Sequence, residues 1–353
     1  MEKKKALSER QVNDIIERLE KLRGKRHFHD KSIAVLNEDF ILKLNNEALS
    51  WYFVSTNKFA KKEAHEKIIM ESKNSKYNYL FAKNIKGADI EAHGRIIMES
   101  KNPEYNYLFA KDVKGADILS HGKIVIESQD PKYNYLFAKD VKGANISAHG
   151  NMVANCNNKI INGKYNFDIS KYNYLFAKDV KGADILSHGQ AIINNVDTKE
   201  IFEEQRKGDN KGYNRDDDCL YNYLFARDIK RANIHDHLKV LLDADYRDCT
   251  VDEYIINFAN HIKGADIHAI EKYAILKREP RFIIEFARKV KGANIKLLQD
   301  GVIKYSVNKG IPHFLREFAD EVENSSFIEL NYLADRIQEK NNAKEKQKTL
   351  KKI

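Results

Sequence analysis

A unit of 28 residues recurs down this chain, and that periodicity constrains the fold more than any other feature. Starting at Tyr77 the sequence reads YNYLFAKNIKGADIEAHGRIIMESKNPE, at Tyr105 YNYLFAKDVKGADILSHGKIVIESQDPK, and at Tyr133 YNYLFAKDVKGANISAHG. Further copies begin at Tyr172 and Tyr221, and weaker ones lie around Tyr254, Phe282 and Phe314. A Phe-Ala pair marks the register at Ala82, Ala110, Ala138, Ala177, Ala226, Ala259, Ala287 and Ala319, with spacings of 28, 28, 39, 49, 33, 28 and 32 residues. Lys58-Phe59-Ala60 followed by His65 reads as a degenerate copy upstream. A unit of this length fits two helices of about three turns each, joined by tight turns. Neither helix can bury its apolar stripe alone, so neighbouring copies must stack and share one core.

Each predicted helix boundary has a local cause. Asn102 and Asp130 are good N-caps for the first helix of the unit (helix A), and Pro103 and Pro131 follow at a position where a missing N–H costs nothing. Pro280 and Pro312 fall at the same repeat position. Helix A is expected to stop at Lys-Gly, with Gly115 left-handed at the position after the C-cap. Asp117, Asn145, Asp184 and Asn233 then cap the second helix, helix B. Tyr105, Phe109 and Val113 form the predicted buried stripe of helix A, and Ile118 and residues 124–126 that of helix B.

The repeat resembles HEAT-like α-solenoids, and more closely the short YNYLFAKDVKGADI-type repeats of uncharacterised bacterial and phage proteins. The resemblance covers residues 50–333 and implies an all-α, right-handed superhelix of stacked two-helix repeats. It implies little about function, because such solenoids serve as scaffolds, protein receptors and nucleic-acid binders. The expected organisation is an N-terminal helical cap with a basic segment over residues 1–50, a solenoid over 51–333 and a basic tail over 334–353. Insertions are expected near 151–168 and 195–217. Residues 8–23 read as an amphipathic helix, and the tail is expected to fray.

Charge narrows the partner classes. The net charge is +9, of which residues 1–26 and 334–353 contribute +4 each, leaving a nearly neutral body. The basic ends could touch nucleic acid or merely solubilise the chain. No apolar run is long enough to span a bilayer, and no secretory signal opens the chain, so a cytoplasmic protein with no membrane partner is expected. Cys156, Cys219 and Cys249 are scattered, which suggests neither a disulfide framework nor a zinc site. Heavy use of Lys, Asn and Ile looks like AT-rich coding of bacterial or phage origin.

Two recurring side-chain sets invite a chemical reading. His65, His93, His121, His149, His188 and His237 occupy one slot of helix B. Stacked repeats would hold them about 10 Å apart, too far to share a metal, and weaker copies place Ile270, Leu298 and Leu330 in the slot. Packing, with a hydrogen bond to a neighbouring helix, is expected. The glycine after each (Gly94, Gly122, Gly150, Gly189) is expected to allow close helix approach.

The second set lies on one face of helix A: Tyr79/Lys83/Lys86, Tyr107/Lys111/Lys114, Tyr135/Lys139/Lys142, Tyr174/Lys178/Lys181 and Tyr223/Arg227/Lys230. Aromatic and cationic rows suit single-stranded nucleic acid or an acidic partner. A solvated ridge whose lysines pair with Asp112-type residues of the next repeat accounts for the same pattern, and both readings stand at this stage. The acidic stretch from Asp209 to Asp218 lacks the ligand order of a calcium loop, and Asp218 fits an N-cap slot.

No catalytic constellation, cofactor motif or metal set is evident. Some DNA glycosylases use HEAT-like repeats, but their Asp with aromatic and Arg neighbours cannot be placed here. The expectation is a non-enzymatic protein that binds a protein or a protein–nucleic acid complex through the ridge and insertions. One such role is a phage- or element-encoded inhibitor of a host complex. The alternative is an RNA- or single-stranded-DNA-binding protein using the ridge and the basic ends.

Overall fold

The computed structural model describes residues 7–23, 31–156, 160–161, 164–165, 169–195, 216–243, 249–277 and 279–350. These contain twenty helices and one two-stranded ribbon, and the chain divides into two compact units, Met1–Asp184 and Ile185–Ile353. In each unit, A and B helices alternate and pack on their chain neighbours and on the equivalent helices of the adjoining repeats. Each unit is thus a helical-repeat solenoid, as the periodicity predicts.

In the first unit the clearest repeats pair Ser75–Asn84 with Ile90–Glu99, Pro103–Asp112 with Ile118–Glu127, and Pro131–Asp140 with Ile146–Ala154. The predicted caps form. Asn102 accepts from the backbone N–H groups of Glu104 and Tyr105, Asp130 from those of Lys132 and Tyr133, and Asp117 from that of Ser120. Helix A, however, ends one step earlier than expected: Val113 is an extended C-cap. Gly115, with φ of 89°, follows in a turn closed by the Ala116 N–H on the Val113 carbonyl. The left-handed residue thus belongs to the A–B turn. Arg231 and Asn324 fill this turn position without being glycine, at φ of 77° and 63°.

The array also begins earlier than the sequence markers suggest. Phe53, Phe81, Phe109 and Phe137 fall 28 residues apart and are fully buried, as do Ile41, Ile69, Ile97, Val125 and Val153. The helix Glu47–Thr56 is therefore the A helix of the first repeat, with Trp51 in the slot of Tyr79, and Lys31–Leu44 is an upstream B helix. Phe59, taken from the sequence as the register marker, is instead an exposed residue in the A–B turn, where later copies carry Gly87 and Gly115. The boundary at residue 50 falls inside a helix. Val12 and Leu19 of the predicted amphipathic helix Glu9–Arg23 pack with Ile41, Leu49 and Phe53. Part of the basic segment, residues 24–30, lies outside the described residues.

The first insertion carries a feature the sequence reading missed, a short antiparallel ribbon pairing Ile160 with Tyr165 and Ile161 with Lys164. An Asn-Gly pair between the two strand pairs was the available signal. Most of the second insertion, residues 196–215, including the start of the acidic stretch, lies outside the described residues. The helix after it starts at Asp216, so Asp218 is a helical residue and not the N-cap.

In the second unit the A helices Asp216–Asp228, Cys249–His261, Pro280–Lys289 and His313–Glu321 pack on the B helices Ile234–Asp243, Ile267–Lys277, Ile295–Lys309 and Phe327–Leu350. Residues 334–350, expected to fray, continue the last of these helices.

Candidate functional site

The recurrent histidines are core residues. His93, His121, His149 and His237 are buried, and each Nδ1 lies 2.7–2.8 Å from the Oδ1 of an asparagine in its own repeat: Asn78, Asn106, Asn134 and Asn222. The amide of Asn106 donates to the carbonyls of Ile97 (3.2 Å) and Asn102 (2.8 Å), which leaves its oxygen as the acceptor and assigns the proton to His121 Nδ1. One asparagine side chain thereby joins the preceding B helix, the start of its own A helix and its own B helix. Each imidazole also packs on the buried phenylalanine of its repeat, with His121 and Phe109 ring centres 4.8 Å apart.

The following glycine has the expected role. A Cβ on Gly94 would sit 3.3 Å from Phe109 and 3.4 Å from His121, so the next repeat's aromatic pair seats directly on the bare backbone. In an exception, Glu66 occupies this position and accepts from the Asp89 backbone N–H at 2.7 Å, while its carboxylate lies 3.3 Å from His93 Nε2. Among the described residues no group of three or more His, Cys, Asp or Glu side chains is placed to hold a metal ion.

The tyrosines of the Tyr/Lys face are also drawn inward, while Lys83, Lys111, Lys139, Lys178 and Arg227 beside them stay exposed. Tyr79, Tyr107, Tyr135, Tyr174 and Tyr223 are only 5–7% exposed. Each of the first three sits between two A helices: Tyr79 donates its hydroxyl proton to Asp112, Tyr107 to Asp140 and Tyr135 to Asp179. Lys83 binds both the Tyr79 hydroxyl (2.8 Å) and Asp112 (2.7 Å), and Lys111 and Lys139 repeat the arrangement with Asp140 and Asp179. The ammonium groups also lie 5.1–5.2 Å from the tyrosine ring centres. Lys178 donates to Tyr174 at 2.6 Å.

The rung survives changes of residue type in the second unit. Tyr223 meets His261 at 2.9 Å and Arg288 bridges to Glu321 at 2.8 Å, each joining neighbouring A helices, whereas Arg227 turns to Asp228 of its own helix through two nitrogens. Burial pushes the Asp112, Asp140 and Asp179 carboxyls up, but the hydrogen bonds from lysine and tyrosine outweigh it and hold them below the usual range. The hydrogen bonds that Lys111 donates to Tyr107 and Asp140 raise its ammonium above its ordinary value. Of the predicted face, only Lys86, Lys114, Lys142, Lys181 and Lys230 stay exposed in the A–B turns without a partner among the described residues.

A different surface emerges when the copies are compared slot by slot. On helix B the residues two before, two after and six after the histidine slot lie one turn apart on a single outward face, and all are exposed. This stripe reads Glu63/Lys67/Glu71, then Glu91/Arg95/Glu99, then Leu119/Lys123/Glu127, then Ser147/Asn151/Asn155 in the first unit. In the second it reads Leu186/Gln190/Asn194, His235/Lys239/Asp243, His268/Lys272/Leu276, Lys296/Asp300/Lys304 and Ile328/Tyr332/Arg336. Its residues differ from copy to copy, whereas Tyr-Asn-Tyr-Leu-Phe-Ala on helix A is repeated unchanged from Tyr77 to Ala226. It also carries most of the large exposed apolar side chains, including Leu119 and Leu186, each 71% exposed, and Leu276 at 77%.

No family model matches this chain, and no curated protein or solved structure is significantly similar to it. No helix among the described residues is long and apolar enough to cross a membrane.

Proposed function

We propose that this chain is a non-enzymatic binding protein that engages a protein partner through the outer faces of its B helices. The carrying observation is the contrast between two surfaces. From Tyr77 to Ala226 the A helices repeat one sequence, and Tyr79, Tyr107 and Tyr135 are consumed in Tyr–Lys–Asp rungs. The B-helix stripe is exposed, varies between otherwise matching repeats and displays apolar side chains to solvent. Scaffold positions in a repeat array must stay uniform for stacking, and only positions free of that duty can be shaped to a partner. Exposed leucines on such positions suit a protein interface, where apolar anchors supply most of the affinity.

Nucleic-acid binding by the Tyr/Lys face is the weaker reading. Stacking on bases needs exposed aromatic faces, and these rings are buried with their hydroxyls committed. The turn lysines remain as a row of cations. An affinity pull-down of the tagged full chain from native cells, with and without nuclease, separates the readings. A partner protein that survives nuclease treatment is the expected result. Retention that disappears with nuclease and weakens steeply with salt would transfer the function to nucleic acid.

A further inference from the structure

The stripe differs between the two units, and the difference identifies a kind of partner. In the first unit its charges neutralise one another: Arg95 lies 4.0 Å from Glu91, and Lys123 lies 3.9 Å from Glu127. In the second unit Lys239, Lys272, Lys296 and Lys304 have no carboxylate partner among the described residues, whereas Arg336, the fifth cation of the stripe, lies 3.6 Å from Glu339. Asp243 and Asp300 are the acidic residues on that face, so cations dominate. Apolar side chains stand among them: Leu276 is 77%, Ile328 85% and Tyr332 62% exposed. Solvent-facing slots of a helix have no stacking reason to be apolar.

We infer that the B-helix stripe of the second unit binds an acidic polypeptide segment that carries apolar or aromatic side chains. Carboxylates of the segment meet the unpaired lysines, and its apolar residues cover Leu276, Ile328 and Tyr332. Charge supplies attraction at a distance, and apolar contact supplies selectivity over a bare polyanion. This rests on the binding-protein reading and adds the chemistry of the partner. Nucleic acid fits the surface less well, because two carboxylates interrupt the cations and the rings on the stripe are limited to Tyr332 and the imidazoles of His235 and His268.

The test uses the full chain and three labelled probes: poly-L-glutamate, a random glutamate–tyrosine copolymer of equal length, and oligothymidylate of equal charge. The copolymer is expected to bind about tenfold tighter than either of the others. Lys239→Glu/Lys272→Glu/Lys296→Glu should weaken the copolymer by at least about tenfold, and Leu276→Ser/Ile328→Ser should bring it level with polyglutamate. The same charge reversal at the turn lysines Lys86, Lys114 and Lys142 should change binding by less than about twofold. Helical circular dichroism checks that each variant is folded. Equal binding of copolymer and polyglutamate by the unaltered chain, preference for oligothymidylate, or equal losses from the two lysine triples would overturn the inference. A nuclease-resistant partner whose capture survives the Lys239/Lys272/Lys296 reversal would leave the binding-protein reading standing and remove only this one.

Discussion

Acidification from pH 7 to pH 4 is expected to unfold the histidine-bearing repeats in a steep transition, well before their carboxylates are protonated. Burial pushes the His121, His149 and His237 imidazoles down to about 4, with Asp117 and Asp236 opposing it weakly in the first and last cases. His65 and His93 shift in the same direction through burial, against the opposing pull of Glu38 and Glu66. An unfolded histidine takes its proton near pH 6.5, so between that pH and about 4 the unfolded chain holds more protons than the folded one. Stability therefore falls as pH falls through this window, by roughly 3 kcal/mol for each such histidine. Three of them together rival the whole stability of an ordinary domain. The rung carboxylates Asp112, Asp140 and Asp179 are depressed, so their contribution persists above about pH 4 and is lost only below it. Circular dichroism during acid titration, with histidine chemical shifts followed in parallel, should place the loss of helix in the histidine window. A chain that keeps its helicity to pH 4 would contradict the burial of these rings.

Breaking one Asn–His pair by halves should cost more than removing it whole. Asn106→Ile strands the His121 Nδ1 proton in the core, and His121→Leu strands the Asn106 oxygen; each should cost about 2–3 kcal/mol. The double substitution should recover most of that, because the chain already contains the apolar version. Equivalent slots hold Ile255 with Ile270, Ile283 with Leu298 and Leu315 with Leu330, and all six are buried. A coupling of about 2 kcal/mol is expected from urea unfolding of the four proteins. Strict additivity of the single losses would mean that the two side chains do not act as a pair. The double variant should also shift the acid transition to lower pH.

The repeat architecture was legible because every local cue pointed one way: period, Asx caps, proline at the helix start and glycine in the turn. The histidines were also legible, since a slot that accepts Ile270 or Leu298 must be dry. The register of the first repeat was misread because Lys58-Phe59-Ala60 imitates the Phe-Ala marker, while the true counterpart, Phe53, lies in the altered context Ser-Trp-Tyr-Phe. Counting back 28 residues from Phe81 would have found it. For the Tyr/Lys face, helical spacing put Tyr107 and Lys111 on one stripe, but depth depends on how closely the next A helix approaches. That approach is a property of two repeats together, and one helix cannot report it. The pairing of the lysines with Asp112-type residues of the next repeat was legible, and Asp112, Asp140 and Asp179 take that place. The variable B-helix stripe was visible in the letters too, but finding it required comparing copies for what changes instead of what recurs.

The most direct test of this account removes the rung cations and reads stability and binding from the same protein. Lys83→Met/Lys111→Met/Lys139→Met deletes three ammonium groups that each bridge a tyrosine to the next repeat's aspartate. Partly exposed links of this kind contribute about 1 kcal/mol or less apiece, so the melting temperature should drop by about 5–10 °C. Capture of a nuclease-resistant partner at a temperature where the variant is folded should be unchanged, because the contact lies on the B helices. An unchanged melting temperature together with loss of the partner would contradict the account and return the Tyr/Lys face to the role of binding surface.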